Sequence, residues 1–259
     1  MLISIQAILK YETPAACSLL LQIEAAQDAS QVCETSNLAV RPDVAWNIIS
    51  GEDDIGVRRW GRISGVFDCS YRAQVRVNRP PVNLPTLHAH PVAQLPNDAT
   101  KFLMPSRYCH PETFLAFVPK QFGNLNGGPL IQQMADWIAA HFTYDNSAST
   151  AVTTATESFD KRAGVCRDYA HVLIAMARSV GIPARMASVY APDVSPQDFH
   201  AVVEVFLDGA WHFVDPTGMA NPTEIVRIGV GRDAADVSFM TSYGWMELIF
   251  QSVEVARVE

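Results

Sequence analysis

The sequence predicts an α+β protein: an antiparallel β domain over residues 1–82, a proline-rich linker over 83–97, and a mixed domain over 98–259 in which helices pack on an antiparallel sheet. Three observations predict it. Apolar residues alternate with period two from Leu2 to about Val82, two later stretches repeat apolar residues at helical spacing, and two β-rich runs meet at Asp208-Gly209. A chain of 259 residues, 49% hydrophobic and 18% charged, has the length and composition to bury a core.

The β domain reads as a small sandwich. Ile3, Ile5 and Ala7 alternate with outward positions, as do Leu19, Leu21 and Ile23, and later Tyr71, Ala73, Val75 and Val77. Turn residues at Gly51-Glu52-Asp53-Asp54 and Ser64-Gly65 read as hairpin connections between these strands. Pro80, Pro81, Pro85, Pro91 and Pro96 then exclude helix and interrupt strand ladders, so this segment is expected to run extended over a surface. His88, His90, Cys109 and His110 lack the paired spacing of a structural metal site and read as surface or packing residues.

Charge and cysteine usage narrow the partners. Nineteen Lys and Arg against 27 Asp and Glu give a net charge of -8, with no basic cluster, which argues against nucleic acid and anionic membrane. The N-terminus shows no charged leader with an apolar core, and no apolar run is long enough to span a bilayer. Five scattered cysteines, Cys17, Cys33, Cys69, Cys109 and Cys166, form no Cys-x-x-Cys pair and suggest neither a disulfide framework nor a thiol zinc site. A reduced, cytoplasmic chain without metal or cofactor is the expectation.

The first helix follows Gly127-Gly128-Pro129, with Leu130, Met134, Trp137, Ile138 and Phe142 on one face. A weaker, threonine-rich helical stretch covers about Thr150 to Arg162. A central helix begins at Cys166 or one residue either side: Val165, Tyr169, Val172, Leu173, Met176, Ala177 and Val180 trace its apolar face, and Gly181 and Pro183 end it. This start puts the Cys166 sulfur beside unpaired N–H groups and the positive end of the helix dipole, which favour a thiolate and can receive an oxyanion. Asp168, in the first turn, reads as a cap. His171 lies about 140° round the helix from Cys166, badly placed to serve the sulfur, and reads as a packed histidine.

The base comes from the hairpin. With Asp208-Gly209 as a two-residue loop, Leu207 pairs with Ala210 and Val202 falls opposite Asp215. His200 is then a diagonal neighbour of Asp215, whose carboxylate can accept one imidazole N–H and leave the other nitrogen for the sulfur. Glu204 shares the His200 face and is a rival carboxylate, pointing further from the strand end; His212 falls on the opposite face.

These residues carry a resemblance. Gly164-Val165-Cys166-Arg167-Asp168-Tyr169-Ala170-His171, Gly181-Ile182-Pro183-Ala184-Arg185, the His200 strand and Trp211-His212-Phe213-Val214-Asp215-Pro216-Thr217 resemble the transglutaminase-like superfamily, especially its bacterial members described as cysteine proteases. Leu103-Met104-Pro105-Ser106-Arg107-Tyr108, Phe142-Thr143-Tyr144-Asp145 and residues 231–237 extend the likeness. The resemblance implies a papain-like core with the catalytic order Cys166, His200, Asp215 and a preceding β domain. It implies a thiol acyl-transfer enzyme acting on a peptide, protein or amide substrate, with hydrolysis favoured over transfer to an amine; a binding module that keeps the fold is the alternative. Relatives tend to be richer in leucine over 150–162. No side chain completing an oxyanion hole is identified from the pattern.

Overall fold

In the computed structural model, which describes residues 1–258, the period-two segment forms β1 (Leu2–Leu21), β2 (Gln31–Arg41), β3 (Asn47–Ser50) and β4 (Val57–Val77). β1 and β4 pair antiparallel along almost their whole length, with Ile5 opposite Ala73. Ile3, Ile5, Ala7 and Leu9 of β1 and Phe67, Cys69, Tyr71, Ala73 and Val75 of β4 are buried in one core. Burying each large apolar side chain stabilises by about 1.5–3 kcal/mol, and a slip of one residue would turn the whole set outward.

Ser64-Gly65 is not a hairpin. β4 runs straight through it, with Gly65 at φ 71° opposite an irregularity between Thr13 and Cys17 of β1. A glycine in the left-handed region lets a long strand bulge without ending, and turn-type residues there look like a chain reversal in sequence. The true reversal is at Glu52–Asp54, between β3 and β4.

The mixed part continues with α1 (Asn97–Thr100), α2 (Phe117–Phe122), α3 (Gly127–His141), β5 (Thr143–Tyr144), α4 (Ala155–Lys161), β6 (Ala163–Gly164) and α5 (Cys166–Ser179). It then forms β7 (Ala184–Tyr190), β8 (His200–Leu207), β9 (Ala210–Val214), β10 (Val226–Gly231), α6 (Ala234–Val237), β11 (Met240–Ser242) and β12 (Glu247–Val258). The strands β10, β7, β8 and β9 make one antiparallel sheet in that order. β11 and β12 do not join it. Both pair with β1, β12 along Leu2–Glu12, so residues 240–258, grouped by sequence with the second domain, complete the sheet of the first.

α5 is enclosed on all sides instead of along one face. Every residue from Asp168 to Arg178 is buried, between α3 and α4 on one side and β7 and β8 on the other. Arg178, the cation this traps, is satisfied by the carbonyls of Ala184, Met104 and Arg232, to which it donates. The threonines before α4 make a turn and a cap: Thr153 Oγ1 accepts from Thr150 N, and Thr154 and Glu157 form a reciprocal capping box. The two sheets meet through Tyr190, Val226 and Ile228, which share the core of the long sheet, and the Tyr190 hydroxyl donates to the Ile23 carbonyl at 2.7 Å.

The proline-rich segment lies on the mixed part, with Leu84, Leu87 and Ala89 packed on its core and Asp208 N donating to His88 O at 3.0 Å. Among the described residues no helix is long and apolar enough to cross a membrane.

Candidate active site

Gly164 explains how Cys166 reaches the helix start. A β-carbon at Gly164 would lie 2.6 Å from Oδ2 of Asp168, and that carboxylate occupies the space because it accepts from Val165 N at 2.8 Å. Asp168 is thus the cap expected of it, and it is fully buried. The next two N–H groups of the helix, those of Cys166 and Arg167, have no acceptor among the described residues. Both residues line the cleft, where the Tyr144 hydroxyl lies beside the Cys166 N–H.

The hairpin has the register expected of it. Leu207 pairs with Ala210 and Val203 with Val214, and Asp208 and Gly209 take φ 47° and 78°, the positive pair that a two-residue turn of this hand needs. The strand β9 ends at Val214, and Asp215 turns into the loop that follows. Four donors hold its carboxylate: Thr217 N at 2.9 Å and Thr217 Oγ1 at 2.7 Å on Oδ1, Ala220 N at 2.8 Å and His200 Nε2 at 2.9 Å on Oδ2. Burial alone would raise this carboxyl, but the hydrogen bonds from His200 and Thr217 and the charge of His200 hold it below the usual carboxylate range.

The His200 side chain is 1% exposed. Burial opposes its charged form, yet the hydrogen bond to Asp215 and the hydrogen bonding and charge of Cys166 raise it to about 10. Nε2 belongs to Asp215; Nδ1 is buried and has no other partner, which leaves it to the Cys166 sulfur. Cys166 and His200 line one cleft of about 670 Å³, together with Tyr144, Arg167, Asp198, Phe199 and Met240. A cavity of about 780 Å³ behind β9 reaches Asp215 but holds neither Cys166 nor His200, so only the first brings sulfur and imidazole to a common solvent face.

Glu204 is no rival to Asp215. It is fully buried, accepts from Arg185 Nε at 2.7 Å and also pairs with Arg227, so its charge is already spent on two guanidinium groups. His212 bonds to the Leu207 carbonyl within the hairpin. Cys69 and Cys109 are buried and pushed up to about 12 by that burial.

Tyr144 is the cleft residue that pattern reading left without a place. Its position depends on a two-residue parallel pairing of β5 with β6, Tyr144 against Gly164, for which nothing in the periodicity is a signal.

Residues 124–216, which hold Cys166, His200 and Asp215, match the family of the transglutaminase-like superfamily. The chain also superposes over its full length, and over 91% of the other chain, on the crystal structure of a "Putative Cysteine Protease" from Cytophaga hutchinsonii, with a TM-score of 0.95 and 29% identity. The chain carries the match to the transglutaminase-like superfamily over residues 124–216, and the remainder is covered by the structural likeness alone. Its mixed part is a transglutaminase-like core, and the full-length superposition includes the β-rich N-terminal region.

Among curated proteins, the uncharacterized protein ML0607 of Mycobacterium leprae is 29% identical over 147 residues, 52% of each chain. The uncharacterized protein Rv2569c of Mycobacterium tuberculosis is 30% identical over 141 residues, 47% of this chain and 42% of the other. The chain thus spans about half the length of the curated relatives it matches.

Proposed function

We propose that the protein is a thiol acyl-transfer enzyme, a peptidase or amidase, in which Cys166 is the nucleophile, His200 the general base and acid, and Asp215 the group that orients His200. The observation that carries this is the division of the imidazole: Nε2 on a buried, four-times-bonded carboxylate, and Nδ1 with no partner but the Cys166 sulfur beside it. The description of the Cytophaga hutchinsonii protein as a cysteine protease supports the same reading.

The chemistry follows from these positions. His200 beside the sulfur can take its proton, giving the thiolate, the form that attacks a carbonyl. Attack forms the S–C bond and moves the carbonyl pair onto oxygen, where the Cys166 N–H meets it. As the C–N bond breaks, the His200 proton goes to the departing amine, and the acyl group remains as a thioester. Water, deprotonated by the now neutral His200, releases the acid and restores the pair. Transfer to an amine would share every step but the last. The absence of basic clusters favours a peptide or protein amide over a nucleic acid or membrane partner.

The test is turnover of a peptide library by wild type, Cys166→Ala and His200→Ala, scored for hydrolysis and for amine incorporation. Both variants are expected to lose turnover entirely, and wild type to hydrolyse. Activity surviving in both would sink the assignment.

A further inference from the structure

We propose that the Tyr144 hydroxyl is the second donor to the oxyanion, closing with the Cys166 N–H the hole in which the carbonyl oxygen sits during attack. This deepens the acyl-transfer reading and rests on Cys166 being the nucleophile.

The backbone brings Tyr144 there. Pairing of β5 with β6 sets Tyr144 against Gly164, two residues ahead of Cys166, and Asp145 N donates to Gly164 O at 3.0 Å just beyond it. The ring is steadied by Tyr169, centroid to centroid 6.0 Å, from the first turn of the same helix. Tyr144 therefore lines the same cleft as Cys166 and His200. Its hydroxyl abuts both the backbone N–H and the side chain of Cys166. Burial, and then the charge of Cys166, push the phenol up from its ordinary range, which favours the protonated, donor form. Arg167, a cation lining the same cleft, is engaged elsewhere, donating to Ser149 Oγ and the Thr150 carbonyl.

An oxygen placed between the Cys166 N–H and the Tyr144 hydroxyl accepts two hydrogen bonds as its negative charge develops. No proton changes hands. The S–C bond forms, the carbonyl pair moves to oxygen, Tyr144 keeps its proton throughout, and the pair returns as the leaving group departs. Removing one such donor typically costs on the order of 10²–10³-fold in rate.

Two probes separate this role from packing. p-Nitrophenyl acetate acylates a thiolate through a tetrahedral oxyanion, whereas iodoacetamide alkylates it by displacement at a saturated carbon and needs no hole. Tyr144→Phe, which keeps the ring, is expected to slow acylation of Cys166 by about 10²-fold and to leave its alkylation within about twofold of wild type. Unchanged acylation overturns the proposal, as does faster acylation, which would make the hydroxyl an obstruction. Equal slowing with both probes also overturns it and makes Tyr144 a packing residue. The Cys166→Ala control keeps the two claims apart. If wild type and Cys166→Ala release p-nitrophenolate at the same rate, the nucleophile assignment itself has failed and the donor role falls with it.

Discussion

Two histidines, His171 and His200, are buried to the same degree within the same domain and carry opposite charge preferences. His171, inside α5, stacks on Tyr108 at 5.0 Å and accepts from Ala234 N through Nε2; burial, with Arg167 and Arg178 nearby, lowers it well below the ordinary range. His200 has a carboxylate and a sulfur beside it and rises to about 10. Burial therefore does not decide what an imidazole does. Its nearest charged neighbours do, and only the one given anions is equipped to exchange protons with a nucleophile.

The comparison breaks most sharply at Asp215. Asp215→Asn keeps the shape but removes the anion that orients His200, and turnover is expected to fall by about 10³- to 10⁴-fold with KM little changed, read in steady-state assays on a peptide substrate. A loss below tenfold would mean that His200 does not depend on this partner.

Glu204 is the matching control, a buried carboxylate that serves structure. Glu204→Ala leaves Arg185 only Asp53 and Arg227 only Asp28 as partners, and is expected to cost about 3 kcal/mol of stability in urea unfolding. Any loss of activity should follow the folded fraction alone.

The pH dependence of stability should split between the histidines. The folded value of His200 lies above its unfolded value of about 6.5, so its contribution is fully present below that pH and is lost as pH rises through about 10. His171 is depressed in the fold, so its contribution is present above about 6.5 and is lost as pH falls toward its folded value. Urea midpoints measured across pH should therefore show His200→Gln flattening the alkaline limb and His171→Gln the acid limb. The reverse pattern would mean that the neighbours have been assigned to the wrong rings. The smallest effect is expected at Thr154→Ala, which removes the α4 cap for about 1 kcal/mol and leaves turnover unchanged.

What was legible in the sequence follows the range of the interaction. The hairpin register was readable because two residues with positive φ determine every pair beyond them, and the α5 start because a cap and an apolar period coincide. The bulge at Gly65 was mistaken for a reversal because the residues that permit either are the same. The pairing of β12 with β1 joins residues about 250 apart, and the two-residue ladder that places Tyr144 is too short to have a period. The expected helix over 150–162 shortened to Ala155–Lys161 because its leading threonines bond to one another and to backbone instead of continuing the helix. Cys166, His200 and Asp215 are all legible in the sequence; the structure puts Cys166 and His200 in one cleft and Asp215 on the far nitrogen of His200.

The most direct measurement of the central claim is the rate of iodoacetamide alkylation at Cys166 against pH, followed by peptide mass spectrometry in wild type and His200→Ala. A sulfur paired with the His200 imidazolium should react rapidly well into the acidic range in wild type and lose that reactivity in the variant, while buried Cys69 and Cys109 stay unlabelled in both. Identical profiles in the two proteins, rising only where an ordinary thiol ionises, would contradict the pairing.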